Sequence, residues 1–88
     1  MSVTQKDIRR EANLTELAYQ YLEKSILDVR LAPGMRVSEA EVARSLEMSR
    51  GPVREALSKL ESVGLVTREA NRRARVHDFD EKELGDLD

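Results

Sequence analysis

The sequence predicts a mainly α domain closed by a small β-hairpin, and three observations carry that class. Three segments repeat apolar residues at helical spacing, two short strand-like runs follow them across a polar turn, and 88 residues suffice for one small domain. Hydrophobic residues make up 40% of the chain and charged residues 36%, enough apolar material for one modest core and too much for a disordered chain.

Residues 1–12 (MSVTQKDIRREA) are polar with scattered apolar points and read as a flexible N-terminal arm. The first helix is expected from about Leu14 to Arg30, with Leu14, Leu17, Ala18, Tyr21, Leu22 and Val29 on one apolar stripe. Asn13 and Glu16 form a variant capping box at its start. Pro33-Gly34 ends it, because a residue before proline is biased out of the helical region. Tyr19 and Tyr21 read as core-facing rather than as a stacking platform.

Met35-Arg36-Val37 is a short extended piece. Ser38 and Glu41 make a capping box for a helix of about 39–46, with Val42, Ala43 and Leu46 inward. Ser49 is the expected N-cap of a third helix, about 50–63, with Val53, Ala56, Leu57, Leu60 and Val63 inward and Gly64 as its stop. Two short helices joined this closely form a helix-turn-helix pattern. Leu65–Arg68 and Ala74–Val76 then read as strands joined by Glu69-Ala70-Asn71-Arg72-Arg73. The order is that of a winged helix-turn-helix, spanning residues 13–79. Residues 80–88 are an acidic linker or the start of a further helix, and the chain is either a fragment or a naturally short protein.

The formal net charge of −2 conceals an uneven distribution. Residues 1–35 carry five basic and five acidic groups, residues 36–76 nine basic and six acidic, and residues 77–88 one basic and six acidic. An acidic tail masks a basic middle. With no cysteine and one histidine, His77, thiolate metal sites and histidine-based triads lack their parts. His77 reads as a surface residue. No phosphate-binding glycine loop, nucleophile elbow or metalloprotease motif is present, and so short a chain has little room for an enzyme cleft. We expect no enzyme, no cofactor and no metal. Apolar runs are too short for a membrane span or signal peptide, which fits a cytoplasmic protein without membrane contact.

Arg50 falls in the first turn of the third helix, where the dipole disfavours a cation by roughly 0.3–1 kcal/mol. Arg54 lies four residues on, and like charges at that spacing repel. An external anion would make sense of both, and arginine at such a helix start can grip guanine O6 and N7. The alternative is ordinary surface charge, softened by Glu47 and Glu55. Glu55 and Lys59 form a solvated pair. Arg72 and Arg73 stand at the hairpin tip with Arg75 two residues later, where cations can lie along phosphates or in a minor groove, the alternative being a solvated turn. Arg36 and Arg44 flank the motif as candidate phosphate contacts.

Residues 26–76 resemble the DNA-binding domain of GntR-type bacterial transcription regulators, and within them the FadR-like FCD subgroup. The matching pieces are L-x-P-G-x-R-V at 31–37, S-R-x-P-V-R-E-A-L at 49–57, G-L-V at 64–66 and NRRARV at 71–76. The resemblance implies a dimeric repressor or activator reading a short inverted repeat of double-stranded DNA. The recognition helix, about 50–63, would enter the major groove and the wing, about 65–76, the minor groove. It implies guanine contacts for Arg50 and Arg54 and a phosphate contact for Ser49. Gly51, at the DNA-facing helix start, stands where the family often has threonine, and Ala40 where some members have arginine. Glu47 replaces a common turn glycine, at a cost of about 1–2 kcal/mol if φ is positive there. Arg73 replaces a wing glycine, which would favour phosphate over the groove floor. Members of the subgroup carry a C-terminal helical domain for a small-molecule effector and for the dimer, of which only the DEKELGDLD segment would be the beginning here. A winged-helix module that binds protein without reading DNA is the rival reading.

Overall fold

The computed structural model describes residues 4–70 and 73–78. Helix α1 spans Gln5–Leu27, α2 Glu39–Ser45 and α3 Arg50–Ser62, and strands β1 Arg36–Val37, β2 Val66–Arg68 and β3 Ala74–Val76 complete the fold. All five predicted helices and strands are present, together with a third strand from the extended piece before α2.

The first helix departs most from expectation. It begins at Gln5 rather than near Leu14, so the arm read over residues 1–12 is helical from Gln5 onward. Residues 5–13 contain no glycine or proline and are rich in Gln, Arg, Glu and Ala, which favour helix. The Ile8 N–H already donates to the Thr4 carbonyl at 3.1 Å. Asn13 consequently lies inside the helix and caps nothing.

The buried face of α1 is also rotated from the predicted stripe. Thr15, Ala18, Leu22 and Ser25 are buried, whereas Leu17 is 56% and Tyr21 40% exposed. Tyr19 and Ile26 pack at the edge of the core. The two hydroxyls are satisfied inside the helix, Thr15 donating to the Glu11 carbonyl at 2.9 Å and Ser25 to the Tyr21 carbonyl at 2.7 Å. A hydroxyl that keeps a hydrogen bond can be buried at little cost, and so two small polar residues displace larger apolar ones from the packing face. The helix ends at Leu27, and Val29, predicted on the core stripe, is exposed with φ +59°.

Ser38 caps α2 as expected, its Oγ accepting from the Glu41 N–H at 3.3 Å. The turn to α3 passes through Glu47 at φ +53°, with the Met48 N–H on the Ala43 carbonyl at 3.0 Å. Ser49 has the extended backbone of an N-cap but makes no side-chain cap hydrogen bond. A capping serine serves the N–H of the second or third helical residue, and the third here is Pro52, which has none. Pro52, Val53, Ala56, Leu57 and Leu60 form the buried face of α3. Val63 is the C-cap and is exposed rather than inward. Gly64 turns the chain at φ +85°, and a Cβ there would meet nothing, so the backbone conformation alone calls for glycine.

The sheet is antiparallel in the order β1-β3-β2. Val66 pairs with Val76 and Arg68 with Ala74, while Val37 meets Ala74 from the other side. Val37, Val66, Ala74 and Val76 are buried in the same core as Leu22, Leu57 and Leu60. Helix α3 packs on α1, α2 and β2, so its exposed face is fixed in direction by the whole fold.

Candidate nucleic-acid interface

The inward face of α3 is settled by Val53, Ala56, Leu57 and Leu60, which leaves Arg50, Arg54 and Ser58 turned outward. These three open onto a cleft of about 730 Å³ whose other wall is the start of α2 and the sheet. Arg36, Arg68 and Arg73 line that wall, so five arginines face one hollow against a single carboxylate, Glu39, among the described residues. Such concentration in a concavity focuses positive potential, which a net charge of −2 would never reveal.

Arg54 is not left to an external anion alone. Its Nε and Nη2 donate to Glu39 Oε2 and Oε1 at 3.5 and 3.3 Å. The compensating acid comes from the start of α2, not from Glu47 or Glu55. Arg54 stays 63% exposed while the Glu39 side chain is 19% exposed, so the cation stands outward of its anchor.

The remaining predicted residues divide. Arg50, Arg54, Arg36 and Arg73 come together at the cleft. Ser49 and Gly51 are exposed at the start of α3, beside it in sequence. Arg44 is exposed in the last turn of α2, outside the cleft lining, where a cation complements the helix dipole. Arg72 lies outside the described residues. Arg75, read as a wing cation, instead bonds Glu69 and donates from Nη1 to the Gly34 carbonyl at 3.0 Å. Its register opposite Arg36 places like charges across the strands, and Glu69 offsets that repulsion.

Arg68, Ser58 and Glu39 were not singled out from the sequence. Ser58 stands one helical turn beyond Arg54 and was readable from periodicity, whereas Arg68 shares the inward face of β2 with Val66, where the strand pattern predicts an apolar residue. Arg68 also pairs with Glu61 at 3.6 Å. The wing turn closes through the Glu69 N–H on the Arg73 carbonyl at 3.0 Å. His77 is half-buried, its backbone N–H on the Leu65 carbonyl at 3.0 Å. No helix among the described residues is long and apolar enough to cross a membrane.

The extended α1 reaches the same end of α3. A Cβ placed on Gly51 would stand 3.8 Å from Glu11 Oε1, an ordinary contact, so the glycine is not demanded by space.

Comparison with known proteins gives the same reading of the fold. The family model described as bacterial regulatory proteins, gntR family, matches residues 14–76. The HTH-type transcriptional repressor RspR of Escherichia coli (strain K12) is 44% identical over 48 residues, covering 54% of this chain and 21% of its own. The uncharacterized HTH-type transcriptional regulator YdhC of Bacillus subtilis (strain 168) is 42% identical over 48 residues, with the same coverage. Among solved structures, E. coli McbR/YncC superimposes with TM-score 0.72 at 30% identity, over 84% of this chain and 35% of that one. A GntR family member from Pseudomonas syringae pv. tomato str. DC3000 gives TM-score 0.71 at 26% identity, over 97% and 42%. The 48 matched residues therefore span about a fifth of the length of each of these two sequence relatives. With its winged helix-turn-helix complete and the family model covering every element from the middle of α1 to β3, the chain belongs to the GntR family of bacterial regulatory proteins and constitutes its DNA-binding domain.

Proposed function

We propose that this domain reads one half of a short inverted repeat in double-stranded DNA, with α3 in the major groove and the β2–β3 wing at the adjacent minor groove. The observation that carries the reading is the single cleft onto which Arg50 and Arg54 open together with Arg36, Arg68 and Arg73. Arg50 and Arg54 contact guanines, and Ser49 and Gly51 let the phosphate backbone approach the start of α3. Arg36, Arg73 and Arg72 hold phosphates, and Arg44 takes a flanking one. The missing cap bond of Ser49 supports its part, since the hydroxyl serves no N–H of its own helix.

The regulator that contains this domain works in the bacterial cytoplasm as a homodimer of the FadR-like FCD subgroup. Its effector site lies in sequence beyond the winged helix, consistent with relatives more than twice as long as this chain. Dimerisation raises the effective concentration of the second half-site, commonly by factors of about 10²–10⁴.

Arg50→Ala and Arg54→Ala are each expected to cost about 1–3 kcal/mol and to relax preference at one base pair. Arg73→Ala should weaken binding to all sequences and flatten the salt dependence. Titrations of a short duplex at several salt concentrations separate the two classes. Normal DNA binding by both recognition-helix variants would refute the assignment, and binding insensitive to salt would favour a protein partner.

A further inference from the structure

The one acid in the cleft is set where an electrostatic argument for DNA affinity would least want it. Among the described lining residues Glu39 stands against five arginines. It is the first residue of α2, directly after the Ser38 cap, so its backbone is fixed by the cap. Its side chain is mostly covered whereas Arg54 is mostly exposed. The carboxylate is thus the fixed member of the pair and the guanidinium the held one.

The contact also selects an orientation. Glu39 receives Nε and Nη2, one long edge of the planar guanidinium. Arginine carries five N–H donors in a rigid fork, and this side-on pairing leaves the end formed by Nη1 and Nη2 facing away from the carboxylate. That end is the fork which matches two acceptors on one base edge, such as O6 and N7 of guanine. An exposed ion pair contributes little to stability, so stabilising the fold is a poor account of the arrangement. Holding a long side chain in one rotamer before binding removes part of the ordering entropy that binding otherwise pays. The same negative charge weakens attraction for phosphates in general.

Resting on the DNA-reading function proposed above, we infer that Glu39 is a positioning residue for sequence readout: it presents the outer fork of Arg54 to a base and lowers indiscriminate binding. The two effects have opposite signs, and a merely structural role would not produce them together.

The test uses the duplex sequence that this chain enriches from a randomised pool, its single base-pair variants, and an unrelated duplex. Wild type, Arg54→Ala, Glu39→Gln and the double variant are compared, with thermal melts to confirm that the nearly isosteric glutamine leaves the fold intact. Arg54→Ala should abolish discrimination at one base pair. Glu39→Gln should reduce discrimination at that same pair about threefold to tenfold, while the unrelated duplex is bound as well as before or more tightly. In the Arg54→Ala background, Glu39→Gln should add no further loss of discrimination. If Arg54→Ala loses discrimination and Glu39→Gln retains it, or weakens both duplexes equally, the inference is overturned and the DNA-reading function stands. If Arg54→Ala itself discriminates like wild type, the part given to Arg54 in that function falls and the inference with it, while Arg50→Ala decides whether the DNA-reading function stands.

Discussion

Glu47 occupies the turn between α2 and α3 at φ +53°. For a residue with a Cβ, the left-handed region costs about 1–2 kcal/mol through the clash with the following carbonyl. Glycine removes the clash but loses roughly 0.5–1 kcal/mol more backbone entropy on folding. The side chain of Glu47 is exposed, so little packing is lost with it. Glu47→Gly is therefore expected to stabilise the domain by roughly 0.5–1 kcal/mol, raising Tm by about 2–8 °C for a domain of this size. Val29 offers an independent copy of the experiment, with φ +59° and a β-branched side chain that is 63% exposed. Val29→Gly should stabilise by at least as much. Glu47→Ala is the control, since alanine keeps the Cβ and with it the strain. Urea and thermal melts of the three variants read the result, with the urea m-value unchanged. A glycine variant less stable than wild type, or an alanine variant that gains as much as glycine, would refute the strain argument.

Two serines at equivalent sequence positions should behave differently. Ser38→Ala removes an observed cap bond and is expected to cost about 1 kcal/mol in a denaturant melt, whereas Ser49→Ala, which removes none, should leave stability within about 0.5 kcal/mol. Any loss of DNA affinity in Ser49→Ala then reports an intermolecular contact. Leu57 is fully buried between the helices, so Leu57→Ala should cost about 2–5 kcal/mol, measured by urea unfolding.

The parts of this fold that were legible in the sequence are those decided locally. Ser38 with Glu41 marks the start of α2, Gly64 marks the end of α3, and the apolar spacing of Val53, Ala56, Leu57 and Leu60 orients α3 correctly. What was misread depends on neighbours. The rotation of α1 follows from which residues let it approach α3, and Thr15 and Ser25 qualify only because each bonds a carbonyl of its own helix. Its early start has no sequence signal because residues 5–13 lack the apolar stripe that marks a helix, although their propensity permits one. The pairing of β1 with β3 joins residues 37 and 39 positions apart, beyond any local signal. At the candidate site, helical spacing placed Arg50 and Arg54 on one face. The Glu39–Arg54 pair crosses from one helix to the next and needed the fold to be seen.

Selection from a randomised duplex pool at low salt, with sequencing of the retained DNA, tests the central claim most directly. A reader that grips guanines through Arg50 and Arg54 should enrich a short, guanine-containing half-site, arranged as an inverted repeat where two domains bind together. A pool retained without enrichment, or no retention at all, would contradict sequence-specific reading by this domain.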